Sequence, residues 1–443
     1  MFVKMLVLAA EPQDDVTVLI HALHADQGYE NARSAYTIWF SDDDPRNTTQ
    51  RTKGAVTTKE AGECQAALYA LTQIPSQDKL TLKTSSGYLR RILTKGLRKM
   101  EDQNWIGRRN KETLQVLVAT LRARSGPTVI GKLDDEGTIT NLKEQAEAGL
   151  SHQRNDEEPL LVTPEAFQVT GIKLSNATQS LLYRGIISRR KDEQRAASTY
   201  NLGVTQACVE ELTGKCPSQE TIWRSIRNKA FPPRIRGFLW KVMHNAYKCG
   251  KYWRNIPMCE ERGLCQVCDR VEESMEHILT ECQATSQAEI WKLAEELWLL
   301  RGLPWIAPRF GTILGCGLAA YQSERGNHKL MGANRLYAIL VSESAHLIWR
   351  LRCKWKISEG AAPEKILSDD TVKKMWLQNI NRRLQLEMLQ TDKLQYGRKA
   401  LNSTLVEKTW WGVLRNQELL SDDWLKGTGV LVGIGDRPPG RNR

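Results

Sequence analysis

The sequence predicts a mixed α/β domain at its N-terminal end followed by a mostly α-helical region that holds a tight set of cysteines and a histidine. Three observations support that order. Strand-like and helix-like patterns alternate up to about residue 150. Helical periodicity then dominates the rest of the chain. Within it, Cys265, Cys268, His277 and Cys282 fall close together.

Val18-Leu19-Ile20 is an apolar run, and residues 35–40 form a second strand ahead of an Asp-rich turn. Thr57 with Glu60 three residues later gives a capping-box pattern, which predicts a helix through Ala61, Ala66, Ala67, Leu68 and Leu71. Residues 80–84 alternate with period two and run into Ser85-Ser86-Gly87. In the next helix Leu89, Ile92, Leu93, Leu97 and Met100 share one face, while Arg91, Lys95, Arg98 and Lys99 share another. A basic loop with Trp105, Arg108, Arg109 and Lys111 leads to a helix over 112–124 and a strand over 128–130. Asp134-Asp135-Glu136-Gly137 as loop and 143–148 as helix complete the domain, placed at 1–150.

Residues 151–216 read as a linker and helical connector, polar over 151–159, with helices at 176–184, 193–200 and 204–212. A helix at 223–229 ends at Phe231-Pro232-Pro233, and a longer one spans 235–246. The Cys/His region is set at 217–300, including a helix at 288–298. A helical C-terminal region follows at 301–426, with long amphipathic segments at 335–355 and 370–389, and a Gly/Pro-rich tail at 427–443 is expected to be disordered.

The chain has 443 residues, 63 Lys plus Arg against 51 Asp plus Glu, and a net charge of +12, which favours a polyanionic partner such as nucleic acid. No apolar run approaches the roughly 20 residues that span a bilayer. The N-terminal residues lack a long apolar core before Glu11, Asp14 and Asp15, so an intracellular protein, nuclear or cytoplasmic, is expected, with no membrane or small-molecule partner. Ten cysteines in a chain this long do not make a disulfide framework.

Cys265-x2-Cys268-x8-His277-x4-Cys282 has the spacing of a closed tetrahedral Zn²⁺ site, which implies a structural ion; Cys259 and, less so, Cys249 are rival ligands. The pair Glu343 and His346 on one helical face reads as an ordinary hydrogen-bonding pair, and Cys64 as a small core residue. Trp240, Trp349, Trp376, Trp410 and Trp411 read as packing anchors.

The order of the N-terminal elements resembles a type 1 ribonuclease H. Glu60-Ala61-Gly62-Glu63 resembles the helix that carries the family's catalytic Glu, and residues 80–88 the strand that ends in a catalytic Asp. Residues 31–39 are similar to the segment after the family's first Asp-Gly-Ser loop in fungal members. Phe238-Leu239-Trp240, Tyr252-Trp253-Arg254 and the Cys/His set resemble the zinc-binding segment behind the reverse transcriptase of LINE-type retrotransposons. Residues 339–349 and 429–434 are similar to a repetitive protein group of basidiomycete fungi.

The resemblance implies a five-stranded mixed sheet and a site in which four carboxylates hold two Mg²⁺ ions. At the four family positions this chain has His21, Glu63, Ser85 and Leu142, with Lys132 where a loop His aids product release, so Glu63 is the sole retained carboxylate. Asp14, Asp15, Asp26, Asp134, Asp135 and Glu136 lie near enough in sequence to substitute if the register differs. Arg91, Lys95, Arg98, Lys99, Trp105, Arg108, Arg109 and Lys111 occupy the part that in the family grips the DNA strand of an RNA/DNA hybrid. The expectation is a nucleic-acid-binding protein, on hybrid or duplex, without efficient cleavage. An active two-metal hybrid ribonuclease, needing Mg²⁺, and a protein-interaction scaffold are the alternatives.

Overall fold

The computed structural model describes residues 15–53, 57–152, 164–168, 171–190, 195–268, 270–323 and 326–433. The chain divides into two compact units, Met1–Glu193 and Gln194–Arg443. Asp14 and residues 153–159 of the expected linker lie outside the described residues.

In the first unit, β1 (Asp15–Ala25), β2 (Arg33–Trp39) and β3 (Thr48–Arg51) form an antiparallel meander. After α1 (Lys59–Thr72), β4 (Lys79–Thr84) joins β1 in parallel. Next come α2 (Gly87–Arg91), a wider turn at Ile92–Gly96, α3 (Leu97–Asp102) and α4 (Lys111–Ala123). The strand β5 (Thr128–Lys132) then pairs parallel with β4. The order β3-β2-β1-β4-β5 is the ribonuclease H-like mixed sheet that the resemblance implies.

The central strand β1 is buried on both faces. Val18, Ile20 and Ala22 pack with Cys64, Ala67, Leu80, Leu82, Leu114 and Leu117, whereas Leu19 meets Leu133 and Leu142. Leu142 is carried by α5 (Glu136–Gly149), which begins at the residues expected to be a loop because Asp135 caps it, accepting the Thr138 N–H at 2.7 Å. Thr58, one residue after the expected cap, accepts from the Ala61 N–H to start α1. Gly62 is required there: a Cβ would come within 2.9 Å of the Ala22 Cβ, so only glycine lets α1 lie this close to β1. The unit ends with α6 (Gln179–Ile187).

The second unit is helical. Its α7 (Ala196–Thr213) is one helix where the sequence suggested two, and it packs on its own unit's α8 (Gln219–Ile226) and α9 (Pro233–Met243). Pro233 at the first turn of α9 makes the Pro-Pro pair a starter as well as a break. A short α10 (Lys251–Arg254) precedes the Cys/His loop. Beyond it lie α11 (Gln287–Leu299), α12 (Phe310–Leu314), α13 (Met331–Cys353), α14 (Asp369–Gln390), α15 (Lys393–Tyr396) and α16 (Ser403–Trp410). One core takes side chains from α7, α8, α9, α11, α13, α14 and α16. Most of α13 is buried around its whole circumference, including the polar residues Ser342, Glu343, Ser344 and Arg352.

Residues 427–433, expected to begin a disordered tail, are built into this core. Val430 and Val432 are buried, and Val432 bridges Leu414. No helix among the described residues is long and apolar enough to cross a membrane.

Candidate functional site

In the first unit the four positions implied by the resemblance sit on β1, α1, the end of β4 and α5. His21 is buried, and its Nδ1 lies 2.9 Å from the Ser85 Oγ, so two of the positions are hydrogen-bonded to each other. Burial, with Lys59 and Lys143 nearby, pushes the His21 pKa down to about 4, leaving the ring neutral at ordinary pH. Leu142 is sealed into an apolar cluster with Leu19 and Leu133.

Glu63 is 1% exposed, and neither of its oxygens has a hydrogen-bond partner. Burial raises its pKa to about 7; the Ser86 hydroxyl pulls the other way without reaching hydrogen-bond geometry, as does Lys59. The nearby acids do not gather around it. Asp15 pairs with Lys79 at the opposite end of β1, six residues from His21 and therefore about 20 Å away along the strand. Asp26 pairs with Arg33, Asp134 with Lys132, and Asp135 caps α5. Two Mg²⁺ ions demand several anionic oxygens; a neutral imidazole, a hydroxyl, a leucine and one unpaired carboxyl do not fit them.

From α2 through the wider turn, α3 and the following loop to the start of α4, Arg91, Lys95, Arg98, Lys99, Arg108, Arg109 and Lys111 are exposed. Trp105, expected among them as a contact, is instead 2% exposed and packs in the core with Leu89, Met100 and Leu114. The left-handed backbone at Asn104 and Trp105 turns its ring inward, where it cannot stack on a base.

In the second unit the ligand atoms of Cys265, Cys268, His277 and Cys282 all lie within 4.8 Å of one another. Among the described residues they are the only gathered group of three or more His, Cys, Asp or Glu side chains. Cys259 and Cys249 stand outside it. The first pair sits on a tight knuckle: the Cys265 N–H donates to the Val271 carbonyl at 2.8 Å, and the Val271 N–H to the Cys268 carbonyl at 2.9 Å. Gly263 leads into it with the Gly250 carbonyl only 2.5 Å from where a Cβ would be.

The group suits Zn²⁺ on three counts. Tetrahedral bonds of about 2.3 Å place two sulfurs about 3.8 Å apart, and the Cys265 and Cys282 sulfurs are 3.7 Å apart. His277 is buried with its Nε2 unpartnered, while its Nδ1 lies 3.3 Å from Glu281, as an outer carboxylate orients a ligating imidazole. The Gln283 N–H donates to the Cys268 sulfur at 3.4 Å, as suits a thiolate. Burial resists ionisation of Cys265, but the adjacent His277 ring and the Val267 and Cys268 backbone N–H groups outweigh it and bring its pKa down.

Sequence reading missed what braces this loop. Glu273, four residues before His277, is buried and held by Arg352 at 3.0 and 2.6 Å, with Lys356 at 3.7 Å. Lys356 also donates to the Leu264 carbonyl at 3.1 Å, and Trp355 packs against Cys265 and Cys282. The cysteine knuckle is thus fastened to the end of α13. Elsewhere Trp376 and Trp410 are buried as anchors, whereas Trp240 and Trp411 are exposed.

The two units define the class: a ribonuclease H-like α/β unit followed by a helical unit with a Cys/His centre. Residues 199–291, from α7 into α11, match the family described as zinc-binding in reverse transcriptase. Among solved structures, the chain is similar to LC9-RNase H1, a type 1 RNase H with the type 2 active-site motif, at 10% identity and a TM-score of 0.25 over 39% of this chain and 85% of that one. The fold is assigned on the strand order and not on this likeness. A comparison with curated proteins finds no match.

Proposed function

We propose that this chain is a retroelement-derived, ribonuclease H-like protein that binds nucleic acid, as RNA/DNA hybrid or duplex, without efficient cleavage. We assign its origin to the C-terminal part of a LINE-type retrotransposon polyprotein of the basidiomycete group; the match to the reverse-transcriptase zinc-binding family and the sequence resemblances support this. The observation that carries the loss of cleavage is the state of the family positions, where a His21–Ser85 hydrogen bond and a core leucine stand beside a single buried carboxyl, Glu63, with no hydrogen-bond partner. On this proposal Arg91, Lys95, Arg98, Lys99, Arg108, Arg109 and Lys111 supply the grip on the phosphate backbone.

The test incubates the purified chain with a labelled RNA/DNA hybrid and Mg²⁺ or Mn²⁺. No cleavage above that of Glu63→Gln is expected, together with hybrid binding that weakens steeply as salt rises. Cleavage that disappears in Glu63→Gln would reinstate the nuclease. Salt-independent binding would remove the basic helix from the interface.

A further inference from the structure

The second unit carries a basic, aromatic surface that has no part in the hybrid grip of the first. Between Trp223 and Gly263 there are ten Lys or Arg residues and two Glu. Several of these cations are engaged: Arg224 with Glu220, Arg234 with the buried Glu343, and Arg254 with Glu272. Lys241, Lys248 and Lys251 are exposed and have no carboxylate partner among the described residues. Aromatic rings lie among them.

Trp240 on α9 is 48% exposed and Tyr252 on α10 is 43% exposed. Neither is held at the surface by chance geometry. Trp240 stands edge-on to His244 with ring centres 4.4 Å apart, and His244 stacks on Trp223 at 4.9 Å. Tyr252 abuts Trp253 at 5.2 Å, whose indole N–H donates to the Lys248 carbonyl at 2.7 Å. Lys241 lies over Tyr247 at 5.6 Å, Lys248 over Tyr252 at 5.5 Å and Arg262 over Trp253 at 5.4 Å. The result is a set of braced rings with ammonium groups beside them, one group on α8 and α9 and another on α10.

Rings presented at half exposure and braced from behind suit stacking, because their rotamers are already ordered and little entropy is lost on binding. Duplex nucleic acid hides its base faces; a single strand offers both faces and phosphates. We infer that this surface binds single-stranded nucleic acid, with bases stacking on Trp240 and Tyr252 and the backbone running along Lys241, Lys248 and Lys251. It is separate in residues and in ligand from the basic helix of the first unit.

The experiment measures anisotropy of fluorescein-labelled oligothymidylate and oligouridylate with the full zinc-loaded chain. Trp240→Leu and Tyr252→Leu are each expected to weaken binding roughly 5- to 100-fold, and Trp240→Phe, which keeps an aromatic face, to recover most of it. The triple variant K241Q, K248Q, K251Q touches no core residue, so it reads the surface even if the aromatic variants melt early. It should lower the slope of log affinity against log salt by about two. Reversing Arg98 and Lys99 to Glu in the first unit should leave single-strand affinity within about twofold, since sites that share no residue or partner act independently. The inference is overturned if the triple variant keeps the full salt slope, if Trp240→Leu with unchanged melting binds as the parent does, or if the first-unit reversal alone abolishes single-strand binding.

Discussion

Glu63 is a buried carboxyl with no hydrogen-bond partner. In the folded chain burial holds its pKa at about 7, against an ordinary 4.5. For a carboxyl raised in this way, the full stability is present below about 4.5 and is lost as the pH rises through about 7, where the folded state must ionise a buried group that the unfolded chain ionises freely. The loss approaches about 3 kcal/mol above pH 8, since each tenfold change in proton affinity is worth about 1.4 kcal/mol. Glu63→Gln should therefore stabilise the first unit by up to that amount at pH 8.5 and change it little at pH 4.5, as read from urea midpoints. Equal effects at both pH values would show that ionisation is not the cause. His21 has the opposite sense: lowered to about 4, it contributes stability above 6.5 that is lost as the pH falls towards 4. That β1, α1 and the end of β4 lie together, with His21 meeting Ser85, was readable once the helix of Glu63 and the strand over 80–84 were recognised. The fate of the tryptophans was not, because Trp105 in a basic loop and Trp240 on an apolar helix face give opposite cues to their true positions. Trp105 is buried by a left-handed turn that no side-chain pattern announces, and Trp240 lies at the rim, edge-on to His244 at the end of its own helix.

At the scale of elements, α13 is the axis of the second unit and carries three ion pairs along its length. Arg335 meets Glu387 at 2.6 Å, Glu343 meets Arg234 at 2.8 Å, and Arg352 meets Glu273 at 2.6 Å. The last pair joins the helix to the loop that holds the cysteines. Removing one member of a buried pair leaves an uncompensated charge and typically costs about 3–5 kcal/mol. Arg352→Met should thus destabilise the second unit by about that much and speed zinc release to a chromogenic chelator, and adding Glu273→Leu should restore more than half of the stability. A double variant no better than the single one would mean that Arg352 acts through packing alone. The Cys/His set was legible because its ligands lie within one loop and chemistry fixes their spacing. The brace was not, since Glu273 and Arg352 are 79 residues apart and look like ordinary surface charges in sequence. Periodicity likewise marked where most helices lie, but it split α7 in two and started α5 late, because a helix takes its bounds from caps and packing as much as from its apolar face.

Over the whole molecule, the two units have separate cores, one built on the sheet and one on α13. Only the second contains a gathered metal-ligand group among the described residues. A structural zinc binds the folded loop and not the unfolded chain, so its binding energy adds to the stability of whatever folds with it. Here the Cys265 and Cys282 cluster includes Trp355 and Ala361, and the adjoining Arg352 lies on the central helix. The ion's contribution therefore reaches the helical core and not the knuckle alone. Calorimetry should resolve two transitions. A strong zinc chelator, or Cys268→Ser, should lower only the one belonging to the second unit, and amide exchange should quicken at 263–284 and 352–362 while the strands of the first unit keep their protection. Uniform loss across both units would show that they fold as one cooperative body. An unchanged second transition after complete zinc removal would show instead that the helical core holds the loop without the ion, which would reduce the Cys/His group to a passive passenger on α13.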